Sequence, residues 1–419
     1  MIILAVLAFY VAFNLGANDV ANAMGTSVGS KAVTLKQAII IAGILEFTGA
    51  VLFGHGVTET LGTKIANPDL FISTPQTLVL GMVAVLISSG VWLQIATSRG
   101  LPVSSSHAVV GAIAGFSWVA LGINAIDWSS IGLITIGWVL TPVISGVVAA
   151  FFYSLIQRWI LEQPNPLLHL QEWIPWLSAI LLSVFGVIVL PSLTQPLTKF
   201  LIEEVGLNLP PHDIPIFTGA AAAIGLTLYS WRQLDHSTIQ KLKSKIQNPV
   251  EGLFGRFQLL SACFVAFAHG SNDVGNAIAP LAVISYIQRT GSVPNNGLNI
   301  PIWILILGGI GIVAGLAIWG KKVIATIGEN IISLQPSSGF CAELATATTI
   351  LLASRLGLPV STSHALVGGV VGIGLVQNLK SIKFQTLQGI AAAWIITVPI
   401  SAILSAAIFS IIRMIFNSK

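Results

Sequence analysis

The sequence is divided into about twelve apolar stretches, each long enough to cross a lipid bilayer as a helix. Spanning roughly 30 Å of hydrocarbon takes about 20 apolar residues. Charged residues make up only 8% of the 419, whereas soluble domains carry about 25%. The pattern therefore predicts an all-α integral membrane protein. The apolar stretches fall near 2–26, 36–56, 77–98, 103–122, 129–157, 173–192, 212–231, 257–288, 301–320, 338–355, 360–377 and 384–413.

The basic residues are spread thinly over the loops between these stretches. The net charge is +4, and this distribution follows the positive-inside rule rather than forming a nucleic-acid surface. If the lysine-rich loop 232–256 is cytoplasmic, most of the 19 basic residues lie inside and both termini lie outside. Cys263 and Cys341 stand far apart among apolar residues, so no disulfide is predicted.

Two motifs and a fainter echo occur twice, in the same order. Residues 16–23 read Gly-Ala-Asn-Asp-Val-Ala-Asn-Ala, and 270–277 read Gly-Ser-Asn-Asp-Val-Gly-Asn-Ala. Residues 100–107 read Gly-Leu-Pro-Val-Ser-Ser-Ser-His, and 357–364 differ from them only in a central threonine. These repeats indicate an internal duplication. The echo aligns Gly49, Gly54, Thr60 and Gly62 with Gly315, Gly320, Thr326 and Gly328.

The two copies are predicted to have opposite orientations in the membrane. The first motif lies in the first apolar segment and its copy in the eighth, so an odd number of crossings separates them. Inverted repeats of this kind are common in secondary transporters. We predict two inverted repeats, 1–157 and 257–419, joined by connecting helices and a basic cytoplasmic loop over 158–256. Broken helices or re-entrant hairpins at the second motif would leave this parity unchanged.

The first motif places polar residues inside an apolar segment. An Asp at the bilayer centre costs roughly 2.5–3.5 kcal/mol on insertion scales, so it normally serves a function. Gly16 and Gly270 are expected to break the helix and free backbone groups for an ion. A polar cluster that only packs helices is the structural alternative. The candidate cation-binding residues are Asn18, Asp19, Asn272 and Asp273, with Asp19 and Asp273 as ligands of Na⁺.

The second motif combines a helix break with hydroxyl residues that begin the next helix. Pro102 and Pro359 end the preceding helix, and a helix N-terminus offers unpaired N–H groups to an anion. Hydroxyls add donors without fixed charge, which suits a tetrahedral oxyanion that must also be released. Simple N-capping after the turn is the structural alternative. The candidate oxyanion ligands are Ser104, Ser105, Ser106, Ser361, Thr362 and Ser363, with Asn22 and Asn276 from the first motif.

Two further acids lie well inside apolar segments. Glu46 and Glu343 are not equivalent under the repeat, because Glu46 aligns with Ile312. Either acid could coordinate a cation or take part in coupling. A buried, neutral structural glutamate is the alternative for each.

Several charged or titratable residues flank the motifs. Arg99 and Arg355, beside the serine motifs, are interpreted as charges at helix ends. His107 and His364 follow the hydroxyl residues and are interpreted as supports of the turn. His269, next to the second Asn-Asp motif, is left without an assigned role.

With both motifs duplicated, the sequence resembles the PiT (inorganic phosphate transporter) family of cation-coupled symporters. The resemblance rests on the paired Asn-Asp signatures and the paired Pro-Val-Ser-Ser/Thr-Ser-His segments, and it covers both halves. It implies a twelve-span fold with phosphate bound near a pseudo-twofold axis and coupled to Na⁺ or H⁺. It also implies that Asp19 and Asp273 are required for transport and that Glu46 and Glu343 are functionally important.

The resemblance sets further expectations. Symport would proceed by alternating access, with no cofactor beyond the co-transported Na⁺ or H⁺. The short central loop and the absence of a visible transit peptide favour the plasma (inner) membrane of a bacterium. The expected partners are inorganic phosphate, the cation and the lipid bilayer, with no nucleic acid. The motifs are compatible with phosphate, sulfate or arsenate as the transported anion. They are also compatible with a monomer or a homodimer.

Two other classes of function, an intramembrane hydrolase and a channel, are less consistent with the duplicated motifs. An intramembrane hydrolase could use Ser105, His107 and Asp19, but an enzyme needs one asymmetric set of residues in distinct roles. Here every candidate occurs twice in inverted halves, so the protein is not expected to be an enzyme. A channel would give currents too large for a transport cycle, whereas a symporter saturates and requires both solutes.

Overall fold

The computed structural model describes residues 1–101, 103–204, 210, 212–233, 248–295, 297–320 and 334–417. Within these ranges the chain is helical, and β-structure is limited to one isolated bridge between Ala66 and Ile126. The described helices are α1 Ile2–Gly29, α2 Leu35–Phe53, α3 His55–Thr63, α4 Pro75–Ser98, α5 Ser105–Leu121, α6 Trp128–Ile156, α7 Pro166–Ile188, α8 Leu190–Glu203, α9 Asp213–Gln233, α10 Pro249–Thr290, α11 Ile302–Ile318, α12 Pro336–Arg355, α13 Thr362–Gln377 and α14 Phe384–Asn417.

Eight of these helices are long and apolar enough to cross a membrane, namely α1, α2, α4, α6, α7, α9, α10 and α14. The helices α5, α11 and α13 are also apolar, but they have only 17, 17 and 16 residues. A straight span needs about 20. The prediction of an all-α membrane fold is confirmed, whereas the count of twelve spans stays a prediction.

Several helices begin at polar residues that satisfy free backbone N–H groups. Thr34 caps α2 through a reciprocal capping box with Gln37. Asp127 caps α6 by accepting from the N–H groups of Ser129 and Ser130. The serine motifs begin α5 and α13 in the same manner, so a local rule fixes where these two helices start.

The Asn-Asp motifs lie inside continuous helices. Both α1 and α10 run unbroken through their motifs, so the predicted breaks at Gly16 and Gly270 are wrong. These glycines instead permit close helix packing. A Cβ on Gly16 would overlap the backbone carbonyl of Ile312, and one on Gly270 would overlap that of Glu46. The glycines therefore serve contact between helices, as small residues commonly do in membranes.

These close contacts join helices of different repeats. Gly16 packs α1 on α11, and its counterpart Gly270 packs α10 on α2. In the same way α5 packs on α14, and α13 packs on α6. The two sequence repeats therefore interlock and do not form two separate bodies. Further glycine contacts of this type pair Gly49 with Phe267, Gly315 with Phe13, Gly111 with Val398, Gly115 with Ala402, Gly368 with Pro142 and Gly372 with Gly146.

The central part of the chain adds α7, α8 and α9 to the repeats. Helices α7 and α9 pack together, and both contact α8. Helix α10 begins at Pro249, within the segment 158–256 assigned above to the connection. The repeat boundaries at 157 and 257 stay predictions. Residues outside the described ranges include Pro102, Lys241, Lys243, Lys245, Thr326 and Gly328.

Candidate functional site

The first turns of α5 and α13 meet in the interior of the protein. Ser106 Oγ donates to the backbone carbonyl of Val360 at 3.2 Å, across the two repeats. Asn22 and Asn276 complete the junction, because each donates to a hydroxyl of the opposite repeat. All eight predicted oxyanion ligands are buried. Residues of both serine motifs therefore lie together with Asn22 and Asn276, and their role as oxyanion ligands stays a prediction.

The two cross-repeat hydrogen bonds made by asparagines are closely matched. Asn22 Nδ2 lies 3.3 Å from Thr362 Oγ1, and Asn276 Nδ2 lies 3.2 Å from Ser105 Oγ. These two bonds are therefore counterparts related by the internal repeat. The site lies where the two repeats meet, as a pseudo-twofold arrangement requires.

Each aspartate is bonded to the hydroxyl motif of its own repeat. Ser105 Oγ donates to Asp19 Oδ2 at 3.1 Å, and Thr362 Oγ1 donates to Asp273 Oδ2 at 3.0 Å. Asn22 also donates to Asp19 Oδ1 at 3.2 Å, so the i, i+3 contact forms without a helix break. The oxygen Asp273 Oδ1 is buried and has no protein donor. Asp273 thus keeps an oxygen that a cation could bind.

The chemistry of this cluster fits a hard cation. Asp19, His269 and Asp273 each offer a ligand atom, and these atoms lie within 4.8 Å of one another. The two ring nitrogens of His269 already lie against Glu46 and Asp273. Carboxylate and hydroxyl oxygens are therefore the available ligands, and such oxygens suit hard cations rather than soft ones.

The side-chain amides of Asn18 and Asn272 donate to the segments that join α4 to α5 and α12 to α13, whereas those of Asn22 and Asn276 donate at the junction. The oxygen Asn18 Oδ1 is buried and has no protein donor, and the cation-binding role of Asn18 stays a prediction. The amide of Asn18 binds the turn between α4 and α5, and Asn272 binds the turn between α12 and α13. These residues hold the turns that carry the serine motifs. The amide of Asn18 lies 3.0 Å from Thr97 Oγ1 and 3.2 Å from Leu101 O, and that of Asn272 lies 3.0 Å from Ser354 Oγ and 3.1 Å from Leu358 O.

Glu46 joins the site through His269. His269 Nδ1 lies 3.1 Å from Glu46 Oε1, and its Nε2 lies 3.0 Å from Asp273 Oδ2. His269 and Glu46 are fully buried. The repeat places Leu15 and Ile312 at the equivalent positions beside Asp19. The Glu46–His269–Asp273 chain therefore occurs on one side of the pseudo-twofold site.

Glu343 lies in a second buried polar cluster. Its carboxylate accepts four side-chain hydrogen bonds, and the aligned residue in α4 is Leu86. This cluster too has no counterpart in the other repeat. Sequence reasoning identified Glu343 but missed its partners, which are hydroxyl and amide residues without a repeated motif. They are Thr26 at 2.6 Å, Ser27 at 2.6 Å, Ser261 at 2.8 Å and Gln258 at 3.1 Å.

The residues beside the serine motifs make contacts that stabilise helix ends. Ser104 and Ser361 accept from the backbone N–H groups of His107 and His364, so the capping interpretation of these two serines also holds. Arg355 ends α12 and donates to Ser192 Oγ at 2.7 Å. Arg355 thus has the position expected of a charge at a helix end.

Two tryptophans at this site were missed by sequence reasoning. The ring of Trp138 lies 3.8 Å from that of His107, and the ring of Trp394 lies 3.6 Å from that of His364, measured between centroids. A repeat signal was present, because each tryptophan follows its serine motif at nearly the same distance. Tryptophans in apolar helices are common, so this pair did not stand out.

Known proteins resemble this chain over nearly its whole length. Residues 15–405 match the model of the phosphate transporter family. A putative phosphate permease of Haemophilus influenzae is 41% identical, over 99% of this chain and 97% of that protein. Inorganic phosphate transporter 2-1, chloroplastic, of Arabidopsis thaliana is 40% identical, over 95% of this chain and 69% of that protein. A solved structure described as the sodium-dependent phosphate transporter is 37% identical, covers 99% of both chains and has a TM-score of 0.83.

Proposed function

The chain belongs to the phosphate transporter family and carries inorganic phosphate across a membrane together with a cation, and we propose that phosphate binds between the N-termini of α5 and α13. One observation carries this proposal. The first turns of both helices meet beside the buried pair Asp19 and Asp273. Helix N-termini supply N–H groups and a positive dipole end to an anion.

Charge explains why this anion site needs a cation. Phosphate carries about one to two negative charges near neutral pH, and two fixed carboxylates would repel it. Cations bound at Asp19 and Asp273 reverse the sign of that interaction. Cation binding then raises phosphate affinity, and phosphate raises cation affinity by the same factor. This reciprocity is the thermodynamic basis of symport.

Na⁺ is the cation that we propose. The free ligands at the centre are oxygens of carboxylates, hydroxyls and amides, which suit a hard metal ion. The solved relative is described as sodium-dependent. Asp19 and Asp273 would be the direct ligands, with Asn22, Asn276 and the hydroxyl triplets turned to phosphate. Asn18 and Asn272 would support the cation ligands and the phosphate ligands, because they hold the turns that join α4 to α5 and α12 to α13.

Glu46 and Glu343 are proposed to couple ion binding to the transport cycle. Glu46 acts on Asp273 through His269, whereas Glu343 lies among four donors in its own cluster. Both carboxylates are fully buried. A buried acid of this kind normally marks an ion pathway, and two such acids without repeat counterparts can make the two halves of the cycle different.

Alternating access is proposed to move helix groups drawn from both repeats. Moving one sequence repeat against the other would separate the tight pairs Gly16–Ile312 and Gly270–Glu46. The group α1, α2, α10 and α11 and the group α5, α6, α13 and α14 each contain such interlocked pairs. We therefore assign the relative motion to these two groups, with the site between them.

The chain is a multi-pass membrane protein, and we place it in the inner membrane of a bacterium. The H. influenzae relative supports a bacterial setting. The distribution of basic residues supports a cytoplasmic 232–256 loop and external termini.

The decisive experiment is uptake of radiolabelled phosphate into proteoliposomes. Na⁺ and pH gradients are imposed separately, with sulfate and arsenate added as competitors. We expect saturable uptake that needs inward Na⁺ and persists when the pH gradient is collapsed. Uptake that requires the pH gradient and not the Na⁺ gradient would reject Na⁺ as the coupling ion. Uptake that depends on neither gradient would reject symport.

A further inference from the structure

His107, Trp138, His364 and Trp394 form a closed cycle at the junction of the two repeats. The ring of His107 packs on Trp138, while its Nδ1 lies 3.2 Å from the backbone carbonyl oxygen of Trp394. The ring of His364 packs on Trp394, while its Nδ1 lies 3.1 Å from the carbonyl oxygen of Trp138. The two imidazoles meet edge to face with centroids 4.8 Å apart. Each histidine ring therefore packs on a tryptophan of its own repeat, and its Nδ1 bonds to a backbone carbonyl of the other repeat.

The tautomer of both imidazoles follows from these partners. A carbonyl oxygen only accepts hydrogen bonds, so each Nδ1 must carry a hydrogen and donate it. Both Nε2 atoms are buried without a protein hydrogen-bond partner. The Nδ1 bond is therefore the polar link that each imidazole makes to the opposite repeat, and it joins α5 to α14 and α13 to α6.

These bonds act directly on the ends of the anion-binding helices. His107 lies in the first turn of α5 and His364 in the first turn of α13. Their own backbone N–H groups bind Ser104 and Ser361, the caps of those helices. A shift of either imidazole therefore shifts a cap and the free N–H groups beside it. The cycle thus connects the first turns of the two helices.

We propose that His107 and His364 are positioning residues for phosphate, which hold the two helix N-termini at the separation that one tetrahedral anion requires. This inference rests on the proposed phosphate site. A tetrahedral anion shared by two helix ends is bound well only at one spacing. Displacement of one end by a fraction of an ångström removes hydrogen bonds from the anion without removing any ligand residue. Such loss should affect phosphate affinity more than the stability of the fold.

The test uses two substitutions at each histidine, one that keeps the hydrogen-bond donor and one that keeps the ring packing on tryptophan. In His107→Asn the amide nitrogen stands near the place of Nδ1 and can still donate to Trp394 O. In His107→Phe the ring packing on Trp138 is kept and the donor is lost. The same pair is made at His364, and His55→Phe, at a half-exposed histidine of α3, is the matched control. The measurements are the phosphate KM and maximal rate in proteoliposomes at saturating Na⁺, with the melting temperature of each purified variant.

The expected result is a raised phosphate KM in the Phe variants, by roughly tenfold, which corresponds to about 1.4 kcal/mol. The Asn variants should lie within about threefold of the wild type, because they keep the donor. The double variant His107→Phe/His364→Phe should be less damaging than the two single effects combined, because both bonds belong to one cycle. Half-saturation by Na⁺, measured at saturating phosphate, should stay unchanged.

Three outcomes would overturn the inference while leaving phosphate transport intact. In the first, KM is unchanged in the Phe variants although their melting temperature falls, which indicates a role in folding alone. In the second, the Asn variants are as impaired as the Phe variants, which assigns the effect to the ring or to Nε2. In the third, the increase in phosphate KM of the double variant equals the product of the increases in the two single Phe variants, which shows that the two histidines act independently. If wild-type protein takes up no phosphate, the proposed function itself fails, and this result is distinct from all three.

Discussion

His269 Nε2 lies 3.0 Å from Asp273 Oδ2, whereas Leu15 takes the equivalent position beside Asp19. The repeat thus supplies two aspartates whose hydroxyl partners, Ser105 and Thr362, are at equivalent positions, but whose second neighbours differ. Asp273 is held by His269 and, through it, by Glu46. Asp19 is held instead by Asn22. The two carboxylates are therefore not interchangeable, although the motifs that carry them are nearly identical.

The substitutions Asp19→Asn and Asp273→Asn should each lower phosphate uptake at least about tenfold. Loss of one charged ligand from a buried cation site costs more than about 1.4 kcal/mol. Neither substitution changes side-chain volume much, so the purified protein should remain folded. Uptake is compared at equal amounts of protein in proteoliposomes, with the exposed Asp69→Asn as control. Poor accumulation of both variants, with normal uptake per molecule, would argue for a structural role.

Glu46→Gln should raise the Na⁺ concentration needed for half-maximal uptake by about tenfold, because His269 loses the carboxylate that orients it toward Asp273. Uptake at saturating Na⁺ should recover substantially, since no direct phosphate ligand changes. The matched control is Glu59→Gln, whose side chain is 37% exposed. An unchanged Na⁺ dependence would show that the Glu46–His269 contact does not act on cation binding.

Glu343→Gln should impair both folding and ion coupling. The four groups that donate to the Glu343 carboxylate would face an amide with only one acceptor oxygen. Leaving buried donors unpaired costs about 1–3 kcal/mol each. We expect a lower melting temperature and a weaker Na⁺ dependence of uptake. Normal stability with normal coupling would contradict this view of the cluster.

Gly16→Ala and Gly270→Ala should destabilise the protein, because a Cβ at either position would overlap backbone of the neighbouring helix. Overpacking of this kind costs about 1–3 kcal/mol. The added methyl of Gly225→Ala meets open space and should be tolerated. Thermal melting in detergent measures the difference. Equal melting temperatures for all three variants would mean that α1 and α10 pack more loosely than the structure indicates.

Asp127 should stabilise α6 in a pH-dependent manner. Hydrogen bonds from the Ser129 hydroxyl and from neighbouring groups hold the pKa of Asp127 below its ordinary value. A lowered pKa adds stability above the ordinary Asp pKa of about 3.9, and this contribution is lost as pH falls through the lowered value. Asp127→Ala should therefore cost about 1 kcal/mol at neutral pH and less in acid. Melting of both proteins across pH checks this, and a difference that grows in acid would contradict it.

The orientation can be tested by cysteine labelling in a variant that lacks Cys263 and Cys341. A membrane-impermeant maleimide added to intact cells should label a cysteine placed at Glu203 and should not label one placed at Lys243. The basis is the positive-inside rule. The reverse pattern would invert the assignment of the two faces and leave the duplication unaffected.

The sequence by itself determined the class of the protein, the duplication and the candidate residues of the site. The length of the apolar segments identifies a membrane protein. The internal repeat is visible by aligning the sequence with itself. The Asn-Asp and serine motifs are local, and their chemistry follows from charge and from helix termini. These are properties that a few consecutive residues fix on their own.

Only the tertiary structure decided how the two halves combine. Gly16 and Gly270 read as helix breakers, but they are contact points, because a glycine inside a continuous helix looks the same in sequence whichever role it has. The exchange of partners between repeats, with α1 on α11 and α10 on α2, depends on packing between distant segments. The link from Glu46 through His269 to Asp273 likewise joins residues with no shared motif. Such contacts depend on three-dimensional distance, which local patterns of residues do not encode.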